Sequence, residues 1–229
     1  MQNVEATPSG SEQLRTTAGD FPLEEVQLRL DDRTWKILHI GAILSQEDER
    51  RFLTEEERRI PYGVVLWPSA IALGHEVAAR KLAGKRVLEL GAGTGLPGIV
   101  AAARGAGVVQ TDRHEVALHL SRRNAERNGV TTIEHRAADW TAWTDRERYD
   151  CILGADVLYG ELLHAPLRAI FEANLAPGGE ILIADPFREA SFALLERMES
   201  DGWKVTMNKW TVGITPPERA VGVYRLTRG

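Results

Sequence analysis

The sequence predicts an α/β fold in which a mainly parallel sheet carries helices on both faces. Between residues 86 and 200, short apolar runs alternate with longer helical segments, which is the pattern of successive strand and helix units. A glycine-rich turn, GAGTG at 91–95, directly follows the first of these runs. The last two strand-like segments are joined by a link too short for a crossover helix, so they should pair antiparallel at one edge of the sheet.

An N-terminal extension is expected before the sheet. Residues 1–20 are polar and predicted to form a disordered tail. The segments EEVQLRL and TWKILHI flank Asp31 and Asp32, which predicts a β-hairpin over 24–40. A charged stretch at 45–59 is expected to be partly helical. We therefore divide the chain into a tail at 1–20, a hairpin and helix extension at 21–60, and a domain at 61–229.

The domain contains one helix ahead of its alternating pattern and eleven elements within it. A proline at position 61 ends the charged stretch, and the first helix is expected at 69–81. The pattern then predicts strands at 86–90, 107–111, 131–135, 150–155, 180–184, 203–209 and 220–226, with helices at 96–104, 114–128, 161–175 and 189–200. A chain of 229 residues is long enough for one well-filled core with such an extension.

Composition argues against several classes of protein. No segment approaches the ~20 apolar residues of a membrane span, and the N-terminus lacks the features of a signal peptide, so we expect a cytoplasmic protein without a membrane partner. The net charge of -5 argues against a nucleic-acid partner. Four arginines at 113, 122, 123 and 127 are better explained as a solvated helix face. Cys151 is the single cysteine and the histidines lack ligand spacing, so neither a disulfide nor a metal site is expected.

The stretch VLELGAGTG at 87–95 predicts a buried strand, a tight turn and the exposed N-terminus of a helix. A small ligand can approach the bare backbone at such a turn. Glu89 precedes the first glycine, and its carboxylate would repel a pyrophosphate but attract an ammonium or sulfonium group. Asp112 ends the next strand, where a ribose-binding acid belongs. Because Gly93–Gly98 also satisfies GxGxxG, the loop alone fits a dinucleotide as well as S-adenosylmethionine, or only close packing.

Three features favour S-adenosylmethionine over a dinucleotide. Glu89 lies beside the loop, the chain ends in an antiparallel strand pair, and no second domain is present to bind the substrate of a dehydrogenase. Together these features resemble the seven-strand class I methyltransferases over residues 64–227. That resemblance implies a Rossmann-like sheet and S-adenosyl-L-methionine as the cofactor.

Four motifs resemble one group within that class, the seven-strand protein lysine methyltransferases that include the valosin-containing protein lysine methyltransferase. They are LWPSA at 66–70, GAGTGLPGIVAA at 91–102, ADW at 138–140 and GADVLY at 154–159. The DxxY motif of the family falls on Asp156 and Tyr159, which implies a catalytic pair. The resemblance also implies cofactor contacts, and with Glu89 added from its place beside the loop, the expected cofactor-binding residues are Trp67, Glu89, Gly91, Ala92, Gly93, Asp112, Asp139, Trp140 and Ala155.

A second resemblance is to the lysine methyltransferase of the electron transfer flavoprotein β subunit. It rests on PYxxxxWP at Pro61–Pro68 and on DPxR at Asp185–Arg188. The glycine loop departs from this pattern, because that enzyme has GSGCGA where this chain has GAGTGL. The electron transfer flavoprotein β subunit is therefore one candidate partner among protein substrates. Asp185 is better explained as the residue that ends a strand than as a substrate contact.

The chemistry of the candidate catalytic pair fits an amine acceptor. The loop that starts at Asp156 follows the carboxyl end of a strand, where ligands of such sheets bind. A lysine amine has a reference pKa of ~10.4 and must lose a proton before its lone pair can attack a methyl group. Asp156 is expected to accept a hydrogen bond from the amine and, with Tyr159, to aim its nitrogen. Structural alternatives are a turn-capping Asp156, a packing Tyr159, and core positions for Trp67 and Trp140.

These observations predict an S-adenosylmethionine-dependent methyltransferase that modifies a lysine of a protein substrate. The N-terminal hairpin and the 61–70 segment are expected to help shape the substrate entrance. A [DN]PPY motif is absent from the sequence, which disfavours nucleobases and glutamine as acceptors. The alternatives are a small-molecule N- or O-methyltransferase with the same core and a cofactor-binding module without catalysis.

Overall fold

The computed structural model describes residues 4–7, 12–16, 19–41, 62–213 and 218–228. The strands in chain order are β1 (Val4–Thr7), β2 (Gln13–Thr16), β3 (Gly19–Pro22), β4 (Glu24–Leu30), β5 (Arg33–His39), β6 (Arg86–Leu90), β7 (Gly107–Asp112), β8 (Glu134–Ala137), β9 (Tyr149–Ala155), β10 (Leu175–Asp185), β11 (Trp203–Val212) and β12 (Arg219–Arg228). The α-helices are α1 (Pro68–Ala78), α2 (Leu96–Ala103), α3 (Glu115–Arg127), α4 (His164–Asn174) and α5 (Glu189–Ser200).

Seven strands form the main sheet in the order β11-β12-β10-β9-β6-β7-β8. Strands β8, β7, β6, β9 and β10 pair in parallel, whereas β12 runs antiparallel to both of its neighbours. The predicted antiparallel pair is therefore confirmed, with the last strand inserted between β10 and β11. Apolar side chains explain this order, because Val221, Val223 and Leu226 of β12 are buried while most of β11 is exposed at the edge.

Helices cover both faces of this sheet, as predicted. Helices α1 and α2 share a buried cluster with Val87 and Val108, and α4 and α5 share another with Leu88 and Ile152. The neighbouring residues Val87 and Leu88 thus face opposite helical layers, which follows from the two-residue period of a strand. Because helices cover both faces of the sheet, a ligand can reach it at the loops that follow the carboxyl ends of the parallel strands.

Several element boundaries differ from the sequence predictions, and three of these differences show how the tertiary structure sets a boundary. Strand β8 starts at Glu134 rather than 131, because it pairs only with the carboxyl half of β7, from Val109 onward. Strand β10 starts at Leu175, and an irregularity in its pairing with β9 absorbs the PGG turn residues. The predicted helix at 161–175 consists of a 3₁₀ turn at Glu161–Leu163 followed by α4.

The N-terminal hairpin is confirmed as β4 paired with β5, but its position differs from the prediction. Its apolar side chains, including Trp35, join the core cluster of α1 and α2. Two asparagines bind the backbone of β5: Asn124 of α3 bonds the N–H and C=O of Leu38, and Asn128, which follows the end of α3, bonds those of Lys36. The hairpin thus extends the helical layer. None of its described residues lines the cavity at the carboxyl edge of the sheet, and the expectation that it helps to shape the substrate entrance stays a prediction.

The prediction that residues 1–20 are disordered is wrong for residues 4–7 and 13–16. These residues form β1, which pairs with β4, and β2, which pairs with β3. The tail is polar, and its composition alone does not predict a strand. Strand β1 forms because the edge of β4 has unpaired backbone groups with which a further strand can pair. The predicted helix at 45–59 lies outside the described residues.

None of the helices in the described ranges combines the length and apolar character that a membrane crossing requires. Cys151 is buried, as predicted, and its burial raises the pKa of the thiol. Within the described part of the chain, no three metal-ligating side chains gather into a group. Two of the four arginines, Arg123 and Arg127, form ion pairs with Glu12, and Arg127 also pairs with Glu25.

Candidate active site

A cavity of about 590 Å³ opens at the carboxyl edge of the sheet. It lies over the ends of β6, β7, β8 and β9, where the strand order reverses on either side of β6. Ligands of open α/β sheets bind at this switch point, and the volume falls in the usual range for small-molecule sites. The lining residues are Tyr62, Gly63, Val65, Trp67, Ala70, Gly91, Ala92, Gly93, Thr94, Pro97, Asp112, Arg113, His114, Ala138, Asp139, Trp140, Ala155, Asp156, Val157, Tyr159, Leu163 and Arg188.

The glycine-rich segment makes two close approaches, one to the cavity at Gly93 and one to the strands of the sheet at Gly98. Gly93 lines the cavity with φ +56°, and a Cβ there would lie 3.0 Å from the carbonyl oxygen of Gly63. Gly98 lies in α2, and a Cβ there would overlap Glu89 Oε2 and Gln110 Nε2. The turn therefore serves both purposes that the sequence left open: the first glycines give access to the cavity, and Gly98 lets the helix pack closely on the strands.

Asp112 holds the end of β7 against the glycine turn. Its Oδ2 accepts a hydrogen bond from the Gly93 N–H at 3.1 Å, and its Oδ1 accepts one from the His114 N–H at 2.9 Å. Burial raises the pKa of this carboxyl above its ordinary value, while the two N–H donors act in the opposite direction. The side chain lies at the cavity wall, where a carboxylate can bind paired hydroxyl groups of a ribose.

Aromatic rings lie on two sides of the cavity. Trp140 follows β8 in a 3₁₀ turn that Asp139 caps by accepting a hydrogen bond from the Thr141 N–H at 2.8 Å. On another side, Trp67 stacks with Tyr62 at 6.2 Å between ring centroids, and its indole N–H donates to the Tyr62 carbonyl. The cavity therefore combines apolar and aromatic surface with a few polar groups, as is usual in cofactor sites.

Glu89 is the one predicted cofactor residue that the structure places elsewhere. Its side chain is 1% exposed and lies beneath α2, outside the cavity lining. Its Oε2 accepts hydrogen bonds from Gln110 Nε2 at 2.6 Å and from the Gly98 N–H at 3.1 Å. Alternation along β6 explains the difference: the side chains of Glu89 and Val87 lie on the α1–α2 side of the sheet, so the carboxylate supports the turn from below rather than facing a ligand.

Replacing Glu89 with glutamine should make the folded protein less sensitive to alkaline pH. Burial raises the pKa of Glu89 from 4.5 to about 8. An acid with a raised folded-state pKa keeps its proton in the folded protein while the unfolded chain loses it, so stability falls as pH rises from about 4.5 to 8 and stays low above that range. The full cost is on the order of 5 kcal/mol.

The measurement is the thermal midpoint of the wild type and of Glu89→Gln from pH 5 to pH 9. Glutamine imitates the protonated side chain, so the two midpoints should be similar at pH 5, and the variant should be the more stable at pH 9. Parallel curves over the whole range would show that Glu89 does not titrate as its burial requires.

Asp156 lies at the end of β9 in a conformation that few residues adopt. Its φ is +55°, its N–H donates to the Ala184 carbonyl at 2.9 Å, and its side chain is 9% exposed. Oδ1 pairs with the guanidinium of Arg188, whereas Oδ2 is buried without a hydrogen-bond donor among the described residues. Burial raises the pKa of Asp156, and Arg188 and the hydroxyl of Ser69 act against that increase.

The DPFR segment at 185–188 fixes that guanidinium. Asp185 is fully buried at the end of β10, where Oδ1 accepts the Arg188 N–H at 2.7 Å and Oδ2 accepts the Ser191 hydroxyl at 2.7 Å. Arg188 Nη1 also lies 3.3 Å from Asp185 Oδ2. Phe187 within this turn has φ +65°. Strained backbone of this kind persists where the surrounding structure holds it and is common at functional sites.

Tyr159 contrasts with Asp156 because it is largely open to solvent. Its side chain lines the cavity mouth and is 57% exposed. Partial burial raises the pKa of its hydroxyl, which therefore stays protonated and can donate a hydrogen bond at neutral pH. The packing alternative for Tyr159 is thus disfavoured, and the ring is placed to contact an entering group.

The structure brings ten of the eleven predicted site residues to one cavity. They are Trp67, Gly91, Ala92, Gly93, Asp112, Asp139, Trp140, Ala155, Asp156 and Tyr159. The prediction did not include Tyr62, Arg113 or Arg188 as site residues, although Tyr62 and Arg188 lie in the PYxxxxWP and DPxR motifs. No periodicity marks Arg188, since its position depends on a turn between β10 and α5.

Comparison with known proteins gives matches to methyltransferases. A family model described as lysine methyltransferase matches residues 46–200. The chain is 33% identical over 144 residues to the histone-arginine methyltransferase METTL23 of Xenopus laevis, covering 59% of this chain and 61% of that protein. It is 35% identical over 158 residues to the protein N-lysine methyltransferase METTL21A of Danio rerio, covering 65% of this chain and 71% of that protein. The match thus spans less than two thirds of the frog protein.

Solved structures share the fold at low sequence identity. A ribosomal protein L11 methylase from Lactobacillus delbrueckii matches with a TM-score of 0.54 at 20% identity, covering 69% of this chain and 76% of that one. A DhpI complex with SAH matches with a TM-score of 0.55 at 20% identity, covering 70% and 85%. These likenesses concern the arrangement of sheet and helices.

Proposed function

The chain belongs to the lysine methyltransferase family, and from this premise we propose that it transfers a methyl group from S-adenosylmethionine to a lysine side chain of a protein. The observation that carries the proposal is a single cavity with two chemically different sides. One side has the glycine turn, Asp112 and Trp140, and the other has Asp156 and Tyr159. A nucleoside cofactor and an amine acceptor can therefore meet in one cavity.

The residues of the first side fit S-adenosylmethionine. The backbone at Gly91 and Gly93 leaves room that a side chain would fill, since a Cβ on Gly91 would lie 3.2 Å from the Trp140 ring. Asp112 would hold the ribose, and Trp140 would contact the base. When bound, the cofactor supplies a methyl group on a sulfonium, so that the amine lone pair forms the new N–C bond while the electrons of the C–S bond leave with sulfur.

The residues of the second side fit an amine. The buried Oδ2 of Asp156 can accept a hydrogen bond from the acceptor nitrogen, and the hydroxyl of Tyr159 lies at the entrance. Orientation of this kind is worth a large share of the rate in a displacement reaction. Removal of water as the site fills also favours the neutral amine over the ammonium ion. Asp156 thus acts by positioning, and the product ammonium returns its proton to solvent.

Radiolabelled S-adenosylmethionine and a cell protein extract test this proposal. We expect label in one or a few protein bands, and methyllysine in their acid hydrolysate. Label confined to small metabolites would favour a small-molecule methyltransferase and overturn the proposal. Cofactor binding without any transfer would favour a binding module without catalysis.

As a more specific proposal, the electron transfer flavoprotein β subunit is a candidate for the protein substrate. It rests on the PYxxxxWP and DPxR motifs, whose members Tyr62, Trp67 and Arg188 line the cavity. Purified electron transfer flavoprotein should accept label from the enzyme if these motifs reflect a shared substrate. If it remains unlabelled while an extract protein is labelled, this partner is excluded and the lysine acceptor is retained.

A further inference from the structure

We propose that Arg188 is a positioning residue that reserves one oxygen of Asp156 for the acceptor and restricts that acceptor to an amine rather than a guanidinium. The inference rests on the proposed function and concerns its specificity. It matters because the relatives of the chain include both a protein N-lysine and a histone-arginine methyltransferase.

The two oxygens of Asp156 have different surroundings. Oδ1 is paired with the Arg188 guanidinium. Oδ2 is buried beside the cavity and makes no hydrogen bond with the described residues; the Ser69 hydroxyl, which also makes none, lies close enough to act on the carboxyl. A buried oxygen that accepts no hydrogen bond costs free energy, so a ligand that donates one N–H to it binds more tightly. A lysine amine supplies such a donor and keeps its lone pair for the methyl group.

A guanidinium would meet this carboxylate differently. Arginine pairs with carboxylates through two parallel hydrogen bonds, which requires both oxygens. Arg188 already holds Oδ1, and its positive charge would repel a second guanidinium bound to the same carboxylate. Because guanidinium groups stay protonated, this repulsion cannot be relieved by loss of a proton, whereas a lysine amine can enter neutral.

The DPFR turn makes the arrangement rigid enough to discriminate. Arg188 is held by its backbone N–H on Asp185 Oδ1 and by its guanidinium between Asp156 and Asp185. The groups that act on Asp156 in the described chain are Arg188 and Asp185 across the strand ends, together with the hydroxyl of Ser69 in α1. Arg188 is the only cation in this set, so its removal leaves Asp156 beside the negative charge of Asp185 alone.

The test uses wild type, Arg188→Gln and Arg188→Lys with tritiated S-adenosylmethionine and a protein extract, over pH 6.5–9.5. Labelled protein is hydrolysed, and methyllysine and methylarginine are separated. In the wild type the label should be methyllysine without methylarginine. In Arg188→Gln, methyllysine at pH 7.5 should fall at least tenfold, and the acid side of the pH profile should move about one unit higher, since Asp156 loses the cation that favours its charged form.

Arg188→Lys should keep the wild-type pH profile at a lower rate, because the charge remains while the fork geometry is lost. Cofactor affinity should change less than threefold in both variants. Arg168→Gln is the control for the same chemical change away from the cavity, as Arg168 also pairs with two carboxylates, those of Glu172 and Asp201, which are more exposed than the partners of Arg188.

An unchanged pH profile in Arg188→Gln, with methyllysine still formed, would overturn this inference and leave the proposed function intact. Methylarginine from the wild type would overturn the amine restriction directly. A wild type that labels no protein would instead overturn the proposed function, and with it this inference.

Discussion

Asp156→Asn should lower methyl transfer at least 100-fold while cofactor affinity changes less than threefold. The substitution keeps the size of the side chain, and asparagine tolerates the φ of +55° at this position better than most residues. It replaces an acceptor oxygen with an N–H₂ group. If this group takes the place of Oδ2, it points a donor at the lone pair that must attack the methyl group. A 100-fold loss corresponds to about 2.7 kcal/mol of transition-state stabilisation.

Single-turnover rates with saturating labelled cofactor would measure this effect, and calorimetric titration would measure cofactor affinity. Asp145→Asn provides a control of the same chemical change outside the cavity, at a partly buried carboxylate that binds Arg136 and the Tyr149 hydroxyl. A rate in Asp156→Asn within fivefold of the wild type would show that the carboxylate does not orient the acceptor.

Asp112→Asn should weaken S-adenosylmethionine binding at least 30-fold. The two carboxylate oxygens accept from the N–H groups of Gly93 and His114. An asparagine can satisfy only one of these donors, and its N–H₂ group would face the other. The variant therefore loses the anchor of the glycine turn as well as a carboxylate for the ribose hydroxyls. A 30-fold loss corresponds to about 2 kcal/mol, the range for a hydrogen bond to a charged group.

Calorimetric titration with S-adenosylmethionine and with its demethylated product would measure the change. Asp150→Asn is the matched control, because Asp150 accepts the Arg86 N–H at 2.8 Å at the other end of the sheet and is partly exposed. Equal cofactor affinities in Asp112→Asn and the wild type would remove Asp112 from the cofactor site. In that case the cofactor would have to be held by the glycine turn and the aromatic rings alone.

The main sheet was predictable because the apolar pattern within each segment indicates whether it forms a strand or a helix. Strand β6 and helix α5 begin and end where the apolar pattern placed them, since burial on two faces imposes a regular period. Strand β10 was predicted too short because PGG is typical of a turn. In the structure these residues lie within the strand, at an irregularity in its pairing with β9. Strands β1 and β2 were missed because they form by pairing with β4 and β3, respectively, and nothing in their own composition indicates this.

The order of strands along the chain is enough to place most of the predicted site residues at one edge of the sheet, whereas the position of Glu89 and the partner of Asp156 follow from the three-dimensional structure. Gly91, Gly93, Asp112 and Trp140 follow successive strands, and parallel strands must bring their carboxyl ends to one edge. The direction of the Glu89 side chain follows from strand alternation once the facing helices are known, whereas the pairing of Arg188 with Asp156 depends on a strained turn between distant segments. Such contacts carry no period in the sequence, because they are fixed by the three-dimensional neighbours of each side chain.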